Sequence, residues 1–404
     1  MKSKIPWQYA AILLFSLISL DCKKDINQKE MARLTQDDGS ATTLGITCIS
    51  NGIQFFKTEA LSQARELSKG IGLGNKVLFV GGQKKIPGGF IVPSARVDIY
   101  NTSSDSWTDK IFTFNEGTFN NATVGTTGQA LAAGGTKIGI AGGVFGDGTI
   151  SDRLDIYDVN SDVWTISQLP TLRAEAAGVG YGDFLYFAGG FGKKINAHKS
   201  IDVYNTLNGS WTKLSLSLAR SGLAAAATNN KILFAGGETG TGVTDRVDIY
   251  DVPTGTWSVS ALSKARTKLV GAALGNLIIF AGGFDLGNQG GSLDNIDIYN
   301  TSTGQWSVSH MSTAAGWRQS AVQGTKMFFS GDNTDNNPGP AEVDVYDICS
   351  NTWSKLALTD GRGGFGSGAA GGKVLFAGGF FINGTDETFV KTVDIFNLGS
   401  LIAQ

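Results

Sequence analysis

Six arginines recur at matching places in this 404-residue chain, and their guanidinium groups are the first candidates for binding chemistry. Five of them stand 16 residues before the first Gly of a short glycine motif, and the sixth stands 13 before it. A guanidinium can bind a carboxylate or an acidic sugar through two parallel hydrogen bonds. The six candidate ligand-binding arginines are Arg65, Arg173, Arg220, Arg266, Arg318 and Arg362. Because residues repeated at one place usually serve a shared core, we favour structural hydrogen bonds over ligand binding for them.

Trp317 is a further candidate, since it lies beside Arg318 and has no counterpart in the other copies of the repeat. Its ring could stack on a sugar or fill a local gap in the packing. Both interpretations stay open at this point.

A carboxylate is also repeated, at Asp98, Asp155, Asp202, Asp248, Asp297, Asp344 and Asp394. Acid–base catalysis needs two groups held in different environments, which a sevenfold repeat does not provide. We expect these carboxylates to accept hydrogen bonds from buried backbone N–H groups or to pair with Lys or Arg. The sequence therefore gives no catalytic residue.

The elements that position these side chains are strands. An apolar run ending in a Gly pair, such as KILFAGG, occurs six times, and a seventh run ends in Gly331-Asp332. An Asp-Ile/Val-Tyr segment follows six of the seven runs. A Trp stands seven residues after the Tyr in six copies, while the seventh copy has Phe396 and no Trp. The first Gly recurs at intervals of 61, 47, 47, 46, 49 and 47 residues, which fits a four-stranded propeller blade.

The Gly pair, the Tyr and the Trp, repeated in register from about residue 50, resemble the Kelch family of β-propellers. The resemblance implies an all-β fold, a seven-bladed β-propeller of Kelch type. It also implies that arginines at this end of the innermost strand contribute to binding acidic peptides. The departures are Asp332 in place of the second Gly, Phe396 in place of Tyr, and the missing seventh Trp.

The seventh copy ends without its fourth strand, which the N-terminal part of the chain can supply. FKTEALSQAR (residues 56–65) aligns without a gap with WSVSALSKAR (residues 257–266), which places Phe56 where Trp257 stands. We label the four strands of each blade a to d in the order in which they lie from the channel outwards. We predict that Ile53–Thr58 forms the missing strand d of blade 7 and closes the ring, because closure removes exposed strand edges.

Residues 1–22 have the layout of an export signal, with Lys2 and Lys4 before a mostly apolar stretch. Cys22 follows, as in bacterial lipoprotein signals, although Asp21 stands where those signals carry a small residue. We expect export, with acylation of Cys22 favoured over an ordinary signal or a retained anchor. Residues 23–44 are expected to be a polar tether and residues 45–404 the propeller.

Cys48 and Cys349 are the remaining cysteines. In an exported protein such a pair can form a disulfide, and the two would lie on neighbouring blades. Spacing alone does not establish bonding geometry, so free or buried thiols are the favoured interpretation.

Charge and composition exclude several partners. The formal net charge is −2 and there is no basic run, which argues against nucleic acid. The two histidines, His198 and His310, are far apart and expected to be solvated, so we predict neither a metal site nor a cofactor.

Function is expected where the repeat pattern breaks, in the loops of unequal length between strands b and c. Each of these loops follows the glycine motif of its copy and precedes the Asp-Ile/Val segment. These loops should share one face with the arginines. We favour an exported protein of the bacterial membrane surface or periplasm that binds a protein or a glycan through this face. Membrane contact would occur only through the lipid anchor. The alternative is a sugar-modifying enzyme resembling the sialic acid mutarotases, in which Glu238 next to Arg220 would be candidate acid–base groups. A third hypothesis is a structural scaffold without a small ligand.

Overall fold

The computed structural model describes residues 48, 52–112, 118–119, 122–123, 125–193, 196–286, 291–332, 342–383 and 386–399. The predicted signal (1–22), its Cys22 and the tether (23–44) lie outside the described residues. Within them there are strands and turns but no α-helix, and no helix that could cross a membrane.

Seven antiparallel four-stranded sheets form the seven blades, and each sheet has the order a-b-c-d from the inside outwards. Strands a to d of blade 1 are Lys69–Leu73, Lys76–Val80, Arg96–Asn101 and Ser106–Ile111. Those of blade 2 are Ala130–Gly134, Lys137–Ala141, Arg153–Asp158 and Val163–Gln168. Those of blade 3 are Ala177–Tyr181, Phe184–Ala188, Ser200–Asn205 and Trp211–Ser215. Those of blade 4 are Ala224–Thr228, Lys231–Ala235, Arg246–Asp251 and Thr256–Ala261. Those of blade 5 are Val270–Leu274, Leu277–Ala281, Asn295–Asn300 and Gln305–His310. Those of blade 6 are Gly316–Gln323, Lys326–Asp332, Glu342–Asp347 and Thr352–Ala357. Those of blade 7 are Gly366–Ala370, Lys373–Ala377, Thr392–Leu398 and Ile53–Ala60. The predicted seven-bladed β-propeller is confirmed.

The innermost strands pack against one another around a central channel, including blade 7 against blade 1. Their small residues are required because the backbones approach closely. A Cβ atom placed on Gly72 would lie 1.8 Å from the carbonyl oxygen of Ala369, and one on Gly180 would lie 1.7 Å from that of Ala133. Strands b are apolar because neighbouring blades cover both of their faces, as Phe79 and Leu375 show in the shared cluster of blades 1 and 7.

The repeated Tyr and Trp face each other across strands c and d. Tyr250 lies opposite Trp257, for example, and their ring centroids are 4.8 Å apart. Trp257 also packs against an apolar cluster that blades 3 and 4 share. The aromatic pair therefore fills the wider outer gap between blades.

The N-terminal strand closes the ring, as predicted: Ile53–Ala60 pairs antiparallel with Thr392–Leu398 of blade 7. The choice of aromatic residue was wrong by one position. A β-bulge between Phe55 and Lys57 shifts the register, so that Phe55 lies opposite Phe396, at 5.6 Å between centroids. Phe56 occupies the bulge instead, 40 % exposed, with the Lys373 ammonium 4.5 Å from its ring centroid.

A disulfide joins Cys48 to Cys349, with 5.4 Å between the Cα atoms. The favoured interpretation as free thiols was therefore wrong. Cys349 lies in the turn between strands c and d of blade 6, and Cys48 lies five residues before strand d of blade 7. Ring closure brings the two neighbouring blades together, and the bond fixes the start of the closing strand.

The b–c loops and the d–a connections lie on one face, which we call the loop face. Short strand pairs extend from this face at Gln83–Lys85 with Ile91–Pro93, Thr118–Phe119 with Ala122–Thr123, Thr126–Thr127 with Val144–Phe145, Glu238–Thr239 with Gly242–Val243, and Phe380–Asn383 with Asp386–Phe389. Isolated bridges tie the two kinds of connection together, as between Glu66 and Gln83 in blade 1 and between Ser221 and Glu238 in blade 4.

Candidate functional site

The six arginines are buried inside the blades with their guanidinium groups paired, and Arg318 also contributes to the wall of the channel mouth. Arg318 is 5 % exposed and the other five are fully buried. Each pairs with the strand c carboxylate of its own blade. The N–O distances are 2.5 Å for Arg65–Asp98 and Arg173–Asp202, 2.8 Å for Arg220–Asp248 and Arg266–Asp297, 3.8 Å for Arg318–Asp344 and 3.2 Å for Arg362–Asp394.

Blade 4 shows what such a pair does. Arg220 Nη2 donates to the carbonyl oxygen of Phe234 on strand b, at 2.9 Å, and contacts Asp248 on strand c. Asp248 in turn accepts the backbone N–H of Ser217, at 3.1 Å. The pair thus joins the d–a connection to strands b and c, which is the structural role that the repetition favoured. Ligand binding by these six arginines stays a prediction, and their burial argues against it.

Blade 2 lacks an arginine before strand a and obtains its guanidinium elsewhere. Arg153, the first residue of strand c, donates to Asp155 through Nε and Nη2, at 2.7 and 2.6 Å. The repeated carboxylate is therefore paired in this blade as well.

A cavity of about 240 Å³ opens on the loop face at the mouth of the channel, and all seven blades contribute to its wall. Trp317 lines it, as expected of a residue on this face. Its polar wall includes Lys69, Gln129, Glu175 and Lys268, none of which the sequence analysis selected.

Seven equivalent residues at this mouth adopt left-handed backbone conformations, with φ between 49° and 69°. Each stands 14 residues before the first Gly of its blade's glycine motif. They are Leu67, Gly128, Glu175, Gly222, Lys268, Trp317 and Gly364. Left-handed backbone costs a residue other than Gly roughly 1–2 kcal/mol. Four blades nevertheless carry a large side chain here, and strain of this kind is concentrated at functional sites.

Hydrogen bonds between blades hold this conformation. The backbone N–H of Glu175 donates to the Gly128 carbonyl oxygen, that of Gly222 to Glu175, and that of Lys268 to Gly222, at 2.8, 2.9 and 2.8 Å. Leu67 donates in the same way to Gly364, at 2.6 Å. At these four positions the neighbouring blade therefore holds the backbone, while the side chains differ from blade to blade.

Three of these side chains form one group. The Lys268 ammonium is hydrogen-bonded to the Glu175 carboxylate and lies 4.8 Å from the centroid of the Trp317 ring. Phe284 holds Trp317 edge-to-face, at 6.0 Å between centroids. The mouth therefore presents a fixed charge pair beside an aromatic surface.

Lys69 contributes a second amine to the cavity. Its Nζ donates to the backbone carbonyl oxygen of Gln129, at 2.7 Å. Burial, reinforced by the nearby charge of Lys268 and opposed by Glu175, lowers the pKa of Lys69 to about 8.

The other predicted site residues are not assembled at the cavity. Glu238 does not line it, and the Arg220 guanidinium pairs with Asp248 rather than with Glu238. His198 was expected to be solvated, but its Nε2 is buried without a hydrogen-bond partner, and burial lowers its pKa. His310 is exposed and lies 3.2 Å from Asp294. Among the described residues no three His, Cys, Asp or Glu side chains form a potential metal site.

Seven four-stranded blades around a channel, joined by paired connections on one face, define a repeat β-propeller. Residues 128–311 match the family model described as the KLHDC2/KLHL20/DRC7 Kelch-repeats domain, and with the seven repeated blades the chain is a Kelch-repeat propeller. Curated protein sequences give no match to the chain. Kelch-repeat domains typically serve as protein-interaction scaffolds.

Proposed function

We propose that this protein is an exported Kelch-repeat binding protein whose channel-mouth cavity receives a segment of a partner protein. One observation carries the proposal: Glu175, Lys268 and Trp317 form a group at equivalent left-handed positions of three blades. A cavity with an apolar surface and a few placed polar groups is typical of a binding site.

A protein partner fits this geometry better than a glycan. The Lys268 ammonium already covers one face of the Trp317 ring, so that face is closed to a stacked sugar. Phe365 and Leu67 add apolar surface to the wall, which suits an inserted side chain. The enzyme alternative has no observation of this kind in its favour, since Glu238 and Arg220 do not meet in the cavity.

Binding can be tested by selecting peptides from a random-sequence display library on the full chain, with a glycan array in parallel. Trp317→Ala should weaken binding of the selected peptides by at least tenfold. Leu207→Ala is the matched control because Leu207 is highly exposed on a c–d turn, away from the loop face. Equal affinity of both variants, or selection of glycans only, would refute the proposed protein site.

We further propose export and acylation of Cys22. The Cys48–Cys349 disulfide supports export, because such bonds persist in oxidising compartments. A Cys22→Ala variant expressed in a bacterium should appear in the soluble fraction while the unchanged chain sediments with membranes. Equal distribution of the two chains would contradict the lipid anchor.

A further inference from the structure

Lys69 is the one charged residue at its position in the repeat. It stands 12 residues before the first Gly of its blade's motif, where strand a begins and the channel opens into the cavity. The equivalent residues of the other blades are Ala130, Ala177, Ala224, Val270, Gln319 and Gly366. The six other residues are uncharged and mostly small, as the packing of the inner strands requires, so the amine of Lys69 is not part of the shared architecture.

The contacts of Lys69 differ from those of the other charged residues in the cavity wall. Lys268 is paired with Glu175, and Arg318 lies 3.8 Å from Asp344. Within the described chain no carboxylate lies at ion-pair distance from Lys69, whose Nζ donates to a neutral carbonyl oxygen. A neutral amine satisfies this contact with one N–H and retains its lone pair.

The surroundings give Lys69 a larger neutral fraction than an exposed lysine has. Burial and the positive charge of Lys268 lower its pKa to about 8, while the more weakly acting Glu175 raises it. A desolvated lysine beside a second cation is the arrangement that makes an amine nucleophilic near neutral pH. Arg318 is the remaining charged group of the cavity wall, and Asp344 balances its charge.

We propose that Lys69 is a nucleophilic amine that captures a small aldehyde in the channel-mouth cavity as a Schiff base. The Nζ lone pair forms a bond to the carbonyl carbon while the C=O π bond breaks towards oxygen. The Lys268 ammonium in the same cavity donates a proton to this oxygen and takes one back from Nζ, which gives a carbinolamine. The hydroxyl then leaves with the second Nζ proton as water, so amine and aldehyde become imine and water without a redox change.

This inference shares the cavity with the proposed function but does not depend on a partner protein. Glu175 has a defined part in both, because its carboxylate holds Lys268 in place. Peptide affinity and aldehyde capture are separate measurements, so either can fail alone.

The probe is glycolaldehyde, applied to the full chain with cyanoborohydride, which reduces an imine to a stable secondary amine. Peptide mass spectrometry then gives the rate of labelling at each lysine. At about pH 7, an amine of pKa about 8 is neutral about 300-fold more often than one of pKa 10.5. Since lower basicity also reduces nucleophilicity, we expect Lys69 to react on the order of tenfold faster than the exposed Lys213.

Two variants make the test specific. Lys69→Arg keeps the positive charge and should abolish the fast labelling, while the melting curve reports whether the fold is retained. Lys268→Gln leaves Lys69 in place, and the labelling of Lys69 should then require a higher pH. If Lys69 reacts no faster than Lys213, or if Lys268→Gln leaves the pH profile unchanged, the proposal is overturned.

Discussion

Removing the Cys48–Cys349 disulfide should destabilise the propeller through the closing strand. The bond links residues 301 apart in sequence, and the loop-entropy relation gives about 5–6 kcal/mol for a loop of that length. Measured losses for native disulfides are typically about 2–5 kcal/mol, which we take as the expected range. With an unfolding entropy of about 2.1 cal/mol/K per residue over roughly 350 residues, this lowers the melting temperature by about 3–7 °C.

The variant is Cys48→Ser/Cys349→Ser, compared with the unchanged chain by calorimetry and by urea unfolding without reductant. Cys22→Ser is the matched control, since it removes a cysteine that has no part in the bridge. It should leave the unfolding midpoint unchanged. Reductant should bring the unchanged chain to the stability of the double variant. If the double variant unfolds at the same midpoint as the oxidised chain, the reasoning is refuted.

Three further predictions follow from the packing. Deleting residues 45–60 exposes the edge of blade 7 and should abolish cooperative unfolding, whereas an unchanged melting curve would contradict ring closure by this strand. Arg220→Met leaves Asp248 buried without its cation and should lower the free energy of unfolding by about 3–5 kcal/mol, measured in urea. Adding Asp248→Leu should restore part of this stability, because the unpaired charge is then removed. Gly72→Ala places a Cβ 1.8 Å from a neighbouring carbonyl oxygen and should prevent soluble expression. Gly182→Ala is the control: its Cβ meets open space at φ 57°, so the free energy of unfolding should fall by only about 1 kcal/mol.

The repeat predicts most of the fold because each blade encodes the same packing independently. Closure by Ile53–Ala60 was also predictable, since the ALSQAR and ALSKAR segments align without a gap. The bulge at Phe56 was not, because an extra residue in a strand changes the register without changing the sequence pattern. The disulfide required the distance between blades 6 and 7, which spacing along the chain does not contain.

The candidate site was found only in part. Trp317 is recognisable from the sequence because its type is not repeated, and the residues at its equivalent positions differ as well. Fourteen residues before the glycine motif, the seven copies carry Leu, Gly, Glu, Gly, Lys, Trp and Gly. That comparison would have selected Glu175 and Lys268, and the same comparison two residues later would have selected Lys69. Their contact across blades still requires the structure.

Repeated and varied positions therefore have different roles in this propeller. Sixteen residues before the glycine motif, the arginine is repeated because each blade must tie its d–a connection to strands b and c, and the resulting ion pair is buried. Two residues further on, all seven blades share a left-handed backbone, which hydrogen bonds between blades hold in four of them, while the side chain changes. An amino-acid type that recurs at a fixed place thus indicates architecture. A fixed backbone conformation with changing side chains indicates the surface on which binding can be specified, and here that surface is the channel mouth around Lys268.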